Sequence, residues 1–118
     1  MTQILRNLTC LKSISIDFSS CDELKDAQFK TLGRDLGTLT SLKKISLNFE
    51  RYGGEITNPK LNSLRKGFQK LIPLKEISLK FRSTGRITDY GLGHLSRGLK
   101  KLIFLTKLHL QINHDIYK

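Results

Sequence analysis

The stretch "ITDYGLGHLSRGLKKL" at residues 87–102 decides the fold, because two other stretches of the chain share its spacing of apolar residues. They are "ITNPKLNSLRKGFQKL" at 56–71 and "LKDAQFKTLGRDLGTL" at 24–39. In each stretch the last apolar residues follow one another by three, four and three positions. That spacing puts the side chains on one stripe of a helix. The sequence therefore predicts amphipathic helices near residues 27–37, 59–70 and 90–101.

A polar residue stands before each predicted helix. The three residues are Asp26, Asn58 and Asp89. We expect each of them to cap its helix by accepting a hydrogen bond from a free backbone amide of the first turn. Pro59 is then expected at the first helical position, where the missing amide proton costs nothing.

A second pattern, with a period of two, lies outside the predicted helices. It occurs in "LTCLKSISIDF" at 8–18, "LTSLKKISLNF" at 39–49, "LIPLKEISLKF" at 71–81 and "LIFLTKLHLQI" at 102–112. Alternating apolar residues predict half-buried strands. We expect Leu47, Leu64 and Leu79 in the core. The same holds for the phenylalanines, which are Phe18, Phe29, Phe49, Phe68 and Phe81.

These repeated units resemble leucine-rich repeats. The segment Leu105-x-x-Leu108-x-Leu110-x-x-Asn113 matches the strand signature of that family, while the other units carry Ser19, Glu50 and Arg82 at the asparagine position. The "ITDYGL" helix start is similar to the long repeats of ribonuclease-inhibitor-like and F-box-associated members, and to repeat proteins numerous in ciliated protists. The resemblance implies an α/β leucine-rich repeat solenoid. This would be a horseshoe arc with a parallel sheet on its concave face, helices on its convex face and about 31 residues per repeat.

The resemblance also implies how the chain divides. We expect a single array over residues 1–118, in which 1–7 end a preceding helix. Three repeats follow at 8–38, 39–70 and 71–101, with a partial repeat at 102–118. Because both ends cut through a repeat, we expect the chain to be part of a larger chain or complex.

The concave face is the expected partner-binding surface, because the resemblance assigns it that role. Its candidate residues are Lys44, Ser46, Asn48, Ser78, Lys80, Arg82, Lys107 and His109. They alternate with the buried strand positions and therefore point to the other face of the sheet. The alternative is that these polar side chains only keep the sheet soluble.

Positive charge dominates the sequence, with 21 Lys and Arg against 10 Asp and Glu and a net charge of +11. Part of it falls in two columns, Lys12, Lys43 and Lys75 at the strand starts and Arg34, Lys66 and Arg97 on the helices. Such columns attract an acidic protein or nucleic-acid phosphate; the alternative is a solvated exterior. Nucleic acid ranks second as a partner, because the phenylalanines in core columns leave few rings for stacking on bases. Apolar residues do not accompany the cations, as membrane binding would require.

Catalytic and metal-binding signatures are lacking. His94, His109 and His114 have no Cys or carboxylate at metal-ligand spacing, and "GLG" at 91–93 lacks the phosphate-loop pattern. Cys10 and Cys21 flank a predicted strand that separates them by roughly 20 Å, so they cannot form a disulfide and indicate a reducing compartment.

The sequence therefore predicts a non-enzymatic protein-interaction module, a scaffold or adaptor subunit of a larger assembly, with no cofactor, metal or membrane insertion. The expected setting is intracellular and cytoplasmic, in the cytoskeleton or another large assembly. The alternative function is a basic protein that binds nucleic acid or an acidic polypeptide through its Lys and Arg columns.

Overall fold

Strands and helices alternate along the chain. The structure is a computed structural model that describes residues 10–18, 24–50, 56–83 and 89–114. Within these ranges there are four strands and three helices: β1 (Ser13–Asp17), α1 (Asp26–Leu36), β2 (Lys44–Phe49), α2 (Asn58–Phe68), β3 (Glu76–Ser83), α3 (Asp89–Leu99) and β4 (Lys107–His114). The predicted positions of the helices are confirmed to within one or two residues.

The strands form one parallel sheet in the order β1-β2-β3-β4. Ser13 pairs with Lys44, Lys44 with Glu76 and Glu76 with Lys107, so each strand pairs with the strand 31 or 32 residues further on. Parallel neighbours need a crossover connection, which here contains a helix. The helices form a second layer, in which α1 packs on α2 and α2 packs on α3.

The core lies between the two layers. Leu47, Leu64 and Leu79 expose 0%, 2% and 0% of their surface, which confirms the prediction for these three leucines. The five phenylalanines predicted for the core are also buried. Phe18 and Phe49, on neighbouring strand ends, stack with ring centroids 4.3 Å apart and an interplanar angle of 6°. Burying each such side chain stabilises the fold by about 1.5–3 kcal/mol.

The predicted helix caps are wrong by one residue. Asp26, Asn58 and Asp89 are each the first residue of a helix and not the residue before it. The extended backbone that a cap position requires occurs at Lys25 and Thr57, and Pro59 is consequently the second residue of α2. At α1 the side chain of Gln28 reaches back, and its Oε1 accepts a hydrogen bond from the Lys25 amide at 2.7 Å.

The predicted leucine-rich repeat solenoid, with its horseshoe arc of about 31-residue repeats, is also wrong. The protein is a small, compact α/β domain with a radius of gyration of 13.6 Å and extents of 44 × 29 × 20 Å. A compact domain of this length is expected to have a radius of gyration of about 13.5 Å. Four strands at about 4.8 Å spacing span only about 14 Å, so the sheet is too narrow to form an arc.

Two sequence predictions concern residues that the structure does not describe. The helix end expected at residues 1–7 lies outside the described residues, as do Ser19 and Cys21. Cys10 is described, and it is a free, exposed thiol.

Candidate binding surfaces

The solvent-facing side of the sheet, here called the open sheet face, brings together all eight residues predicted for the concave face. Together with Glu76, Gln111 and Asn113 they lie in cross-strand rows: Lys44, Glu76 and Lys107; Ser46, Ser78 and His109; Asn48, Lys80 and Gln111; and Arg82 beside Asn113. The eight predicted side chains are exposed or half-buried, whereas the residues between them on β2 and β3 are buried. The alternation of the strands therefore places these side chains as predicted, on one rigid surface.

Charges alternate in the first row of the open sheet face. Glu76 on β3 lies between Lys44 on β2 and Lys107 on β4, with carboxylate-to-amine distances of 3.7 Å and 3.8 Å. Exposed pairs of this kind contribute less than about 1 kcal/mol each. Their effect is local, since the single carboxylate of Glu76 balances one of the two lysine charges in this row.

Glu50 makes two hydrogen bonds at the far end of the open sheet face. Its backbone amide donates a hydrogen bond to Oδ1 of Asn48 at 2.9 Å, a turn that ends β2. Gln111 Nε2 on β4 donates to Glu50 Oε2 at 3.3 Å. Because β3 lies between β2 and β4, this contact spans three strands. The sequence did not indicate this contact, since only the three-dimensional sheet shows which long side chains meet.

The strand-start lysines, Lys12, Lys43 and Lys75, form an exposed ladder along one edge of the domain. The carbonyl of Lys12 accepts hydrogen bonds from the amides of Lys43 and Lys44 at 2.7 and 3.1 Å. The carbonyls of Lys43 and Lys75 repeat this pattern with the next strand in the sheet. The backbone therefore fixes the spacing of the ladder, and the lysine side chains extend from it into solvent.

The structure brings together two of the three residues of the predicted helical column. Arg34 on α1 and Lys66 on α2 line a groove of about 300 Å³ that also takes in Lys30, Lys70, Ser63 and Gly67. We call Lys30, Arg34, Lys66 and Lys70 the basic helix groove. Arg97 lies on α3 and does not line it. Sequence reasoning missed Lys30, which a search one helical turn before Arg34 would have found.

The groove lies at a close approach of α1 and α2. A Cβ atom added at Gly33 would overlap the carbonyl oxygen of Ser63, and one added at Gly67 would overlap the carbonyl oxygen of Gly33. Only glycine allows the two backbones to come this near. The cations of both helices therefore face a common space.

A second concavity, of about 420 Å³, lies between the first halves of α2 and α3. The rings of Tyr90 and His94 meet edge to face along it, with centroids 4.4 Å apart. Arg65 is fixed there, because its Nε donates to Asn62 Oδ1 at 2.8 Å and its Nη1 donates to Gln69 Oε1 at 2.9 Å. The sequence pattern did not indicate this pocket, since its lining residues come from two helices, α2 and α3.

Within the ranges that the structure describes, no three His, Cys, Asp or Glu residues cluster in a way that could hold a metal ion. None of the helices in those ranges is long and apolar enough to cross a membrane.

Comparisons with known proteins show the fold and no family. No family model matches the chain, and no curated protein sequence matches it. The resemblance to leucine-rich repeat proteins therefore stays a prediction. A solved structure named "Leiomodin-1 Actin-Binding Site 2 (ABS2)" is similar, with a TM-score of 0.68 at 15% sequence identity. The similarity covers 96% of this chain but 60% of that one, so this chain spans less than two thirds of that structure's length.

Proposed function

We propose that this protein is a non-enzymatic protein-interaction module that acts as a scaffold or adaptor subunit of a larger assembly. The observation that carries the proposal is the open sheet face. Four strands in continuous register present rows of charged, hydroxyl and amide side chains on a rigid backbone. Fixed donors and acceptors in rows suit directional recognition of another protein surface.

The charge and the structural comparison support one class of partner, an acidic protein. A net charge of +11 favours an acidic partner, because opposite charge speeds the encounter. The similar solved structure is named for an actin-binding site, so actin is the first protein to test. A cytoplasmic, cytoskeletal setting belongs to the same proposal.

Affinity capture from the native source, with nuclease treatment, tests the proposal. We expect a stable protein partner that survives the nuclease and is lost with the double variant Asn48→Ala and Lys80→Ala. A matched control is Lys100→Ala, which removes an exposed cation just beyond α3. Co-sedimentation with filamentous actin tests the first candidate directly. Recovery of RNA or DNA without a protein would overturn the proposal.

The second candidate function is binding of an acidic polypeptide or nucleic acid through the strand-start lysines. It is favoured by their exposure and by the fixed spacing of the ladder. Our proposal assigns specificity to the open sheet face and a faster encounter to the ladder. We therefore expect Lys43→Glu with Lys75→Glu to slow association of the captured partner and leave its dissociation rate nearly unchanged, as measured by surface plasmon resonance. If that variant loses binding while the double variant Asn48→Ala and Lys80→Ala keeps it, the ladder is the binding site.

A further inference from the structure

We propose that the basic helix groove binds a compact anion that carries several phosphate groups. The groove is formed by the helical layer, whereas the open sheet face is formed by the strands. It is therefore a second site, which goes beyond the protein-interaction function proposed above.

The geometry of the helices aligns the four cations. Lys30 and Arg34 lie one helical turn apart on α1, and Lys66 and Lys70 lie one turn apart on and just after α2. Side chains at that spacing have Cβ atoms about 5–6 Å apart on one helix face. The close approach of the helices at Gly33 sets the two rows on either side of one groove.

One of the cations is also positioned by packing. The Cδ atom of Lys70 lies against Gly37, 3.2 Å from where a Cβ atom on that glycine would stand. Its aliphatic stem therefore lies along the end of α1, which carries the ammonium group towards the groove.

The positive charge of the groove is largely unbalanced. Among the described residues, no ion pair involves Lys30, Lys66 or Lys70. Arg34 Nε lies 3.9 Å from Oδ1 of Asp35, a residue that is buried beside it. In the row formed by Lys44, Glu76 and Lys107, by contrast, a carboxylate lies between the two lysines. The groove contains no comparable carboxylate among its lining residues.

The size of the groove selects the kind of anion. A volume of about 300 Å³ is at the lower end of small-molecule pockets, which suits a compact polyphosphate. Lysines act as point charges for phosphate, and the planar guanidinium of Arg34 can bind two phosphate oxygens at once. A single-stranded nucleic acid would need rings for base stacking, and no aromatic residue is among those that line the groove.

Isothermal titration with inorganic tripolyphosphate, at about 150 mM salt to screen distant charges, tests the proposal. We compare the unmodified chain with Lys66→Gln plus Lys70→Gln, the groove variant, and with Lys100→Gln plus Lys101→Gln, the control variant, whose two lysines are exposed just beyond α3. Both double variants remove the same charge, but only the first removes groove cations. We expect the groove variant to weaken binding at least about tenfold and the control variant to leave it nearly unchanged. Equal losses in the two variants, or no binding to the unmodified chain, would overturn the proposal.

Thermal unfolding gives a second measurement that does not depend on the variants. Tripolyphosphate that binds the folded groove should raise the melting temperature of the unmodified chain and of the control variant, and should raise that of the groove variant much less. The same rise in all three would show that general charge screening, and not the groove, is responsible, and would overturn the proposal.

Vesicle flotation distinguishes the two sources of such phosphate groups, a lipid headgroup and a free polyphosphate. The vesicles contain phosphatidylcholine, with and without a phosphatidylinositol bisphosphate. The site belongs to a lipid headgroup if the protein binds the phosphoinositide vesicles, tripolyphosphate displaces it from them, and the groove variant does not bind them. Binding of tripolyphosphate without flotation would assign it to a free polyphosphate. Either result supports the groove, and flotation that the groove variant retains contradicts it.

Discussion

At the scale of single residues, the side of the sheet to which a side chain points decides its role. Leu47 and Leu79 are fully buried, whereas their neighbours Ser46 and Ser78 are on the open sheet face. A shift of one residue in register would exchange the two sets. Apolar and polar positions therefore alternate because successive side chains of a strand point to opposite faces of the sheet. A single substitution on each face can test this.

We expect Leu47→Ala and Leu79→Ala each to lower the free energy of unfolding by about 2–5 kcal/mol, because each leaves a cavity in the core. Ser46→Ala is the matched control, since it truncates the neighbouring side chain on the open sheet face, and should change stability by less than about 0.5 kcal/mol. Urea denaturation followed by circular dichroism measures all three. Losses below about 0.5 kcal/mol for both leucine variants would contradict the described register.

At the scale of elements, the contact between α1 and α2 is closer than side chains usually permit. Gly33 and Gly67 lie where each helix meets the backbone of the other, and an added methyl group at either position has no room. Gly93 on α3 differs, because the nearest atom to its added Cβ would be Nη1 of Arg97 at 3.9 Å. The chain therefore contains both a glycine that packing requires and a glycine that it does not.

We expect opposite signs for alanine at the two kinds of glycine. Gly33→Ala should destabilise the protein by roughly 1–3 kcal/mol, because the methyl group forces the helices apart. Gly93→Ala should stabilise it by about 0.5–1 kcal/mol, because alanine is the better helix former and meets only a flexible side chain. Thermal unfolding measures both variants. A stabilising Gly33→Ala would show that the helices do not meet at this residue.

The outer strand β4 is less protected than its neighbours. Leu108 exposes 48% of its surface, whereas Ile77, its partner on β3, exposes 1%. Ile103 and Phe104, in the turn before β4, are also exposed. Position in the sheet thus determines burial for residues that have the same place in the repeated pattern.

We expect Ile77→Ala to cost about 2–5 kcal/mol of stability and Leu108→Ala less than half as much. The reason is that a half-exposed side chain leaves a smaller cavity and loses less buried area. Urea denaturation of both variants compares the two strands. Equal costs would mean that Leu108 is covered in solution.

The sequence predicts the elements better than their ends and their assembly. Periodicity locates the strands, the helices and residues such as Leu64, because burial of an apolar stripe determines the local structure. The caps fail by one residue, since the cap position depends on the backbone of Lys25 and Thr57. The arc fails because an arc needs many stacked units, and a sheet of four strands is too narrow to form one. Lys30 lies one helical turn before Arg34 and could have been found from the sequence, but its place in one groove with Lys66 depends on how the two helices meet at Gly33.

At the scale of the whole molecule, the positive charge lies on several surfaces, and carboxylates balance it on some of these surfaces more than on others. The open sheet face carries Glu76 between two lysines, whereas the ladder of Lys12, Lys43 and Lys75 and the basic helix groove carry cations side by side. A net charge of +11 on 118 residues opposes compaction through self-repulsion. The fold tolerates this repulsion because the apolar core outweighs it.

We therefore expect moderate salt to stabilise the protein. Raising NaCl from about 20 to about 200 mM shortens the screening length from roughly 20 Å to roughly 7 Å, which weakens repulsion between the surfaces. The free energy of unfolding should rise by on the order of 1 kcal/mol. Screening also weakens the attractive ion pairs of Glu76, but that loss is only about a few tenths of a kcal/mol per pair and does not cancel the gain.

Lys43→Glu is the informative control, since it places a carboxylate between Lys12 and Lys75 and turns two repulsions into attractions. That variant should be more stable than the unmodified chain at low salt and gain less from added NaCl. Urea denaturation at both salt concentrations measures the effect. A free energy of unfolding that falls with salt in the unmodified chain would show that attractions, and not repulsions, dominate its surface.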